Sequence, residues 1–288
     1  MTDLSYELKM PQMMRSDIEA HELARDELGF LATMLAAMNN ELSVDRTHNF
    51  REVRSIYESR GADIEKLKRE GYVIEHRIGR GRGDLTYTVT PKGRSAIDSK
   101  LSSGPGVGDI GDGMPHRYGA DYVERWLSGY PNIVKIQSFV EPPVELDEEA
   151  LIDLIAWSES GEPSILVEVE GGMSTPEKER HGMNDVRPGG NDYQSLLHDH
   201  DVMAMTKARV KSKTEPGAVW VVRNKAAGER VVGALADHGR IDPKKSFVQK
   251  RYRQESPKKF RRYLRRWGCP GMDAIYTFTT VRDELCGR

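Results

Sequence analysis

The sequence predicts an α/β protein in two parts. The first is mostly helical and carries one β-hairpin; the second runs helix, three strands, helix, strand. Three observations predict this. Tyr72–Ile78 and Leu85–Thr90 each alternate apolar and polar residues about the polar loop Gly79-Arg80-Gly81-Arg82-Gly83-Asp84, and alternation with a period of two marks a strand. Leu101–Gly113 holds five glycines and little to bury, which marks a boundary between domains. Beyond it, Ala150–Gly172 is a pair of apolar runs about the turn Glu159–Pro163, and Ile165, Val167 and Val169 alternate with Leu166, Glu168 and Glu170.

Residues 1–15 show no period and read as an arm. Ser16-Asp17 offers an N-cap for a long amphipathic helix to about Met38, with Ile18, Leu23, Leu28, Leu31, Leu35 and Met38 on its apolar side. Phe50–Glu58 and Gly61–Glu70 follow as short helices, the second with Ile64 and Leu67 inward and Gly71 as its stop. Thr90-Pro91-Lys92-Gly93 opens a last helix before the linker at 101–113.

This order is that of a winged helix-turn-helix, and the wording LKREGYVIEHRIGRGRGDLTYTVTPKGR resembles the MarR-like winged-helix regulators over residues 16–98. The resemblance implies that Gly61–Glu70 is a recognition helix. Arg60, Lys66, Lys68 and Arg69 are then its candidate contacts to duplex DNA, and Arg80 and Arg82 at the wing tip reach phosphate or minor groove. Plain surface charge and a protein-contact role for the domain are the competing readings. The long first helix is a candidate dimerisation element for a homodimer.

Composition narrows the class. Charged residues make up 31% of the 288 residues and mean hydropathy is -0.62, with no apolar run of membrane-spanning length. The start, MTDLSYELKM, has no signal-peptide core, so the expected location is cytoplasmic, without a membrane partner. Cys269 and Cys286 form no metal pattern or disulfide framework. Net charge is -2, yet Lys244–Arg266 holds eleven Lys or Arg and one acid, Glu255, so that segment is +10 and the remainder -12. Such asymmetry points to a polyanion. Ser256 as N-cap, Pro257 at the first helical position and Gly268 as stop frame a helix there. Its Phe260, Tyr263, Leu264 and Trp267 face inward, and Lys258, Lys259, Arg261, Arg262, Arg265 and Arg266 are left for nucleic-acid backbone.

The second part, residues 114–288, starts with a helix carrying Tyr118, Tyr122, Val123, Trp126 and Leu127 on one face and ended by Pro131. Asn132–Glu141 is a predicted strand, and the hairpin follows. In it Asp153 sits between Ile152 and Leu154 in a run apolar on both faces, where a carboxylate is costly unless paired or metal-bound. Glu168 and Glu170 share one face of the next strand. They stand either on a wet face or, with Asp153, about a divalent cation that offsets their repulsion. Asp192–Ala208 is then helical, Ala218–Arg223 a buried-type strand, Ala226–His238 a helix and Ala274–Thr279 a final strand.

Residues 116–224 resemble the PD-(D/E)xK nuclease core, αβββαβ, and the nuclease-like domains joined to winged helices in plasmid replication-relaxation and mobilisation proteins. By that resemblance Asp153 is the acid of the second strand and Glu168 that of the third. Mg²⁺, or Mn²⁺, is the implied cofactor, held by carboxylate oxygens and activating a water. The motif's lysine position is Glu170 here. Glu170 is then a third ligand, or Lys178 or Lys207 supplies the missing cation, or the site only binds. Glu124 is the optional extra acid. His198-Asp199-His200-Asp201 reads as a solvated face with one functional histidine at most, and His116-Arg117 as a capping or surface pair. The expected function is a DNA-binding protein with a metal-dependent nuclease-like domain, an endonuclease of a plasmid, virus or mobile element. Its alternative is a non-catalytic regulator of transcription or replication.

Overall fold

The structure, a computed structural model, describes residues 22–38, 50–78, 84–97, 114–146, 150–170, 192–210 and 216–286. The arm, the linker, the wing-tip Arg80 and Arg82, and the loop with Lys178 lie outside them. The protein is mixed α/β and divides into two compact units.

The first unit holds α1 (Arg25–Met38), α2 (Arg51–Ser59), α3 (Ile64–Arg69), β1 (Val73–Ile78), β2 (Asp84–Val89) and α4 (Pro91–Ala96), with β1 and β2 paired as a two-stranded sheet. Phe30 of α1 sits edge-on to Tyr57 of α2 and Tyr87 of β2, with ring centroids 5.8 and 5.2 Å apart. Leu28, Leu31, Ile64, Leu67 and Val89 close the core around them. The expected helix start at Ser16-Asp17 lies outside the described residues, and within them the helical run is broken before Arg25. Glu22 has a left-handed backbone (φ 51°), and the Glu27 carboxylate accepts from Ala24 N at 2.7 Å, so the first turn begins only at Arg25. Helix α3 is shorter than expected, because Asp63 rather than Gly61 caps it by accepting from Lys66 N at 2.8 Å. Thr90 caps α4 and donates to Gly71 O at 2.7 Å. A Cβ on Gly93 would lie 2.3 Å from Tyr72 O, so only glycine fits where this helix crosses the sheet.

The second unit holds α5 (Met114–Ser128), β3 (Ile133–Val140), β4 (Ile152–Ser158), β5 (Pro163–Glu170), α6 (Asp192–Arg209), β6 (Gly217–Val222), α7 (Lys225–Asp237), α8 (Lys245–Gln254), α9 (Pro257–Trp267), β7 (Ala274–Thr277) and α10 (Phe278–Cys286). Its sheet runs β3-β4-β5-β6-β7. The first three strands are antiparallel; β5, β6 and β7 are parallel. Val167, Val169, Val219 and Val221 face α5 and α10, packing on Tyr118, Val123, Trp126, Leu127 and Phe278. On the other face Leu166 and Ala218 meet Val202 and Met203 of α6, while Trp220 and Val222 meet the α7–α9 cluster. Sheets whose parallel strands carry crossover helices are covered on both faces, which explains their near-continuous apolar runs. The final strand is shorter than its sequence suggested: Phe278 starts α10, and its ring packs on Tyr118.

Candidate functional site

Asp153 stands at the start of β4, where pairing with β5 ends at Leu154–Val167. One position further its side chain replaces the ladder. Asp153 Oδ2 accepts from Val169 N at 2.7 Å, and Oδ1 lies 3.1 Å from His116 Nε2 in the first turn of α5. His116 is 9% exposed, and its ring lies 5.9 Å from that of Phe139. Phe139 has a left-handed backbone, φ 53°, which costs about 1–3 kcal/mol for a bulky residue. The strand irregularity there has a direct consequence. Ile152 and Ile155, three residues apart, both pack on the α6 side, so the alternation of β4 slips between them. The slip turns Asp153 toward α5 and His116.

Glu168 and Glu170 take the other side. They follow Leu166 in the alternation of β5 and stand in parallel register with Trp220 and Val222, whose side chains pack against the α6–α9 layer. Glu168 is 6% exposed. The expected trio Asp153, Glu168 and Glu170 is therefore not assembled into one ligand set, although Asp153 and Glu168 are near neighbours across the hairpin. Among the described residues no group of three or more His, Cys, Asp or Glu is arranged to hold a metal ion.

Lys207 does not supply the missing cation either. Helix α6 returns antiparallel to β5, which carries its C-terminal residues to the start of β6 and β7. There Lys207 pairs with Asp273 at 2.8 Å, and Asp273 also accepts from Ala218 N at 2.7 Å. Glu124 lies two turns along α5 from His116, about 12 Å at the helical rise. Burial, with the negative charge of Asp121, raises its carboxyl above the usual range against the opposing pull of Arg125. His200 is not on a solvated face. It is 1% exposed, accepts from Gly271 N through Nε2 at 3.3 Å and meets Asp201 through Nδ1 at 3.2 Å. Its ring also touches the buried Cys269 thiol, which burial first, and Asp273 second, push up to about 12.

The expected DNA contacts of the first unit divide in two. Lys66 bonds Glu22 O at 2.9 Å and Glu27 at 3.3 Å, and Lys68 pairs with Glu65 and Glu75, each at 3.0 Å. Arg54 joins Glu58, Glu65 and Glu75, so these cations neutralise acids of their own unit. Burial pulls Glu75 upward, but Lys68 and Arg77 outweigh it and hold the carboxyl below its ordinary value. Arg60 and Arg69 remain exposed, Arg60 with its guanidinium 5.7 Å from the centre of the Tyr57 ring.

In the basic segment α9 follows its sequence signals. Ser256 caps it, Pro257 opens it and Gly268 closes it at φ 67°. Phe260 and Leu264 are buried, and Tyr263 stacks on Trp267 at 5.2 Å. Lys259 lies 3.8 Å from Glu255, whereas Lys258, Arg261, Arg262, Arg265 and Arg266 make no ion pair among the described residues. Helix α8, which lacked a clear period, adds Lys245 and Arg253, both answered by acids of α7, Asp237 and Glu229. No protein-family profile, curated protein or solved structure matches the chain.

Proposed function

We propose that this chain binds double-stranded DNA through α9 and through a winged-helix-like first unit, and that its second unit is a PD-(D/E)xK nuclease-like domain. The observation that carries the first clause is α9. It buries one face and leaves five cations without an acid partner among the described residues on the other, an arrangement whose self-repulsion a polyanion relieves. The second clause is supported by the succession α5, β3, β4, β5, α6, β6, with a meander of antiparallel strands followed by a parallel one. Asp153 reaching the amide of Val169, between Glu168 and Glu170, supports it further.

Between binder and enzyme, the arrangement favours the binder. The Asp153 carboxylate is engaged by His116 and Val169, and Glu170 occupies the position of the family's lysine. Metal-dependent cleavage is the second reading, favoured by the closeness of Asp153 to the Glu168-Val169-Glu170 stretch; Mg²⁺ or Mn²⁺ would be its cofactor, and a shared ion would require Glu168 to leave the α6 side of the sheet for the side on which Asp153 meets His116. The full chain is tested for retardation of duplex DNA and for nicking of supercoiled plasmid in Mg²⁺ or Mn²⁺. The binder predicts salt-sensitive retardation without nicking. Nicking that Asp153→Asn abolishes assigns the enzyme, and absence of duplex binding removes both readings.

A further inference from the structure

At the opposite end of the second unit's sheet from Asp153, the starts of β5, β6 and β7 surround a cavity of about 550 Å³. One wall is aromatic: Trp126 lies edge-on to Tyr130 at 5.6 Å and to Tyr276 at 5.5 Å. Trp126 is fixed by its indole N–H, which donates to Glu284 at 2.9 Å. The other wall carries Arg261 and Arg265, one helical turn apart on α9, neither with an acid partner among the described residues. The Lys207–Asp273 pair at the cavity is already neutralised, so the two guanidiniums set its charge. The floor is open, because a Cβ built on Gly217 meets nothing within 4 Å.

We infer that this cavity binds a nucleotide, the base against Tyr130 and Tyr276, which are backed by the buried Trp126, and the phosphate on Arg261 and Arg265. The volume lies in the range of small-molecule sites, about 300–1,000 Å³. Aromatic side chains accept any base by its π-face, and a guanidinium fork matches phosphate oxygens better than any other cation. The nucleotide comes either free or as the unpaired end of a nucleic-acid strand; the second source rests on the proposed DNA binding, the first does not.

Calorimetric titration of the full chain with deoxyadenosine monophosphate, deoxyadenosine and inorganic phosphate tests the site. The nucleotide should bind at least about tenfold more tightly than either half, since it alone engages both walls. Arg261→Ala with Arg265→Ala should cost about tenfold or more, the loss of two charge-assisted contacts. Arg262→Ala with Arg266→Ala, on the adjacent arc of α9, should change it by less than about twofold. Gly217→Leu fills the floor without touching charge and should abolish nucleotide binding while thermal melting and duplex retardation stay unchanged. A 5′-phosphorylated single-stranded tetranucleotide bound tighter than the mononucleotide assigns a strand end; equal affinity assigns a free nucleotide. No nucleotide binding at millimolar concentration, equal losses in the two arginine pairs, or undiminished binding by a folded Gly217→Leu chain overturns the site. Duplex retardation without nucleotide binding overturns this inference alone, and nucleotide binding without retardation overturns the proposed DNA binding alone.

Discussion

Asp153 was legible because a carboxylate between Ile152 and Leu154 demands a partner. Its partner was not: His116 is 37 residues away and comes into reach only through the packing of α5 on the sheet. Removing the imidazole leaves a largely buried carboxylate oxygen short of one hydrogen bond. His116→Ala should therefore lower unfolding free energy by about 1–2 kcal/mol in urea titration. His200 makes the opposite kind of residue. Burial holds its imidazole below the ordinary histidine value, although Asp201 pulls it back, with Arg240 and Lys207 adding to the depression and the Cys269 thiol against the ring. The native state then binds that proton less readily than the unfolded chain does. Its contribution to stability is complete above the unfolded value of about 6.5 and is lost as pH falls through the native value. His200→Gln should flatten the acid limb of a plot of melting temperature against pH below about 6.5. The faces of β4 could not be read at this scale, because strict alternation groups Asp153 with Ile155, and the strained Phe139 breaks the alternation.

Helix α9 was the most readable element, since cap, opening proline, apolar spacing and closing glycine all agree. Helices α8 and α10 were not readable. In α8 only Val248 and Tyr252 are buried, too few to set a period among lysines and arginines. In α10 the run Phe278-Thr279-Thr280-Val281 is rich in β-branched residues and continues the pattern of β7. Helix α5 was found from its aromatic face, but its closeness to the sheet was not. A Cβ on Gly119 would lie 2.3 Å from the Phe278 ring and 2.6 Å from Val169 Cγ1. Gly119→Ala should overpack this contact and cost about 1–3 kcal/mol, against the gain an alanine gives in an exposed helix. Thermal unfolding of that variant beside Gly239→Ala, where φ is +71° but space is open, separates crowding from backbone strain.

For the whole molecule, net charge near zero conceals the separation of a +10 segment from a -12 remainder. The structure refines that contrast, since acids of α7 already answer Lys245 and Arg253, while α9 carries the largest share of the exposed charge that no acid answers among the described residues. If its five unpaired cations each displace one counterion, the logarithm of duplex affinity should fall with the logarithm of salt at a slope of about -4 to -5. Filter binding between 50 and 200 mM salt, as rough limits, measures the slope; Lys258→Ala with Arg262→Ala should reduce it by about 2. Apart from α8 and α10 the order of elements was legible, while the sheet order was not, because no local signal says that β6 pairs with β5 rather than with β3. That junction also sets how fast the second unit can form. Strand β5 meets β4 across a four-residue turn but meets β6 only after a crossover of roughly fifty residues, whose loop must close before any contact rewards it. The meander β3–β5 can therefore exist before β6 arrives, with one edge of β5 open until it does. In pulse-labelled hydrogen exchange during refolding, the amides of Ile155 and Val167, which face β3 and β4, should be protected before those of Leu166, Trp220 and Ile275. During that interval the apolar edge of β5 is the place where two unfinished chains would join, so refolding yield should fall as protein concentration rises.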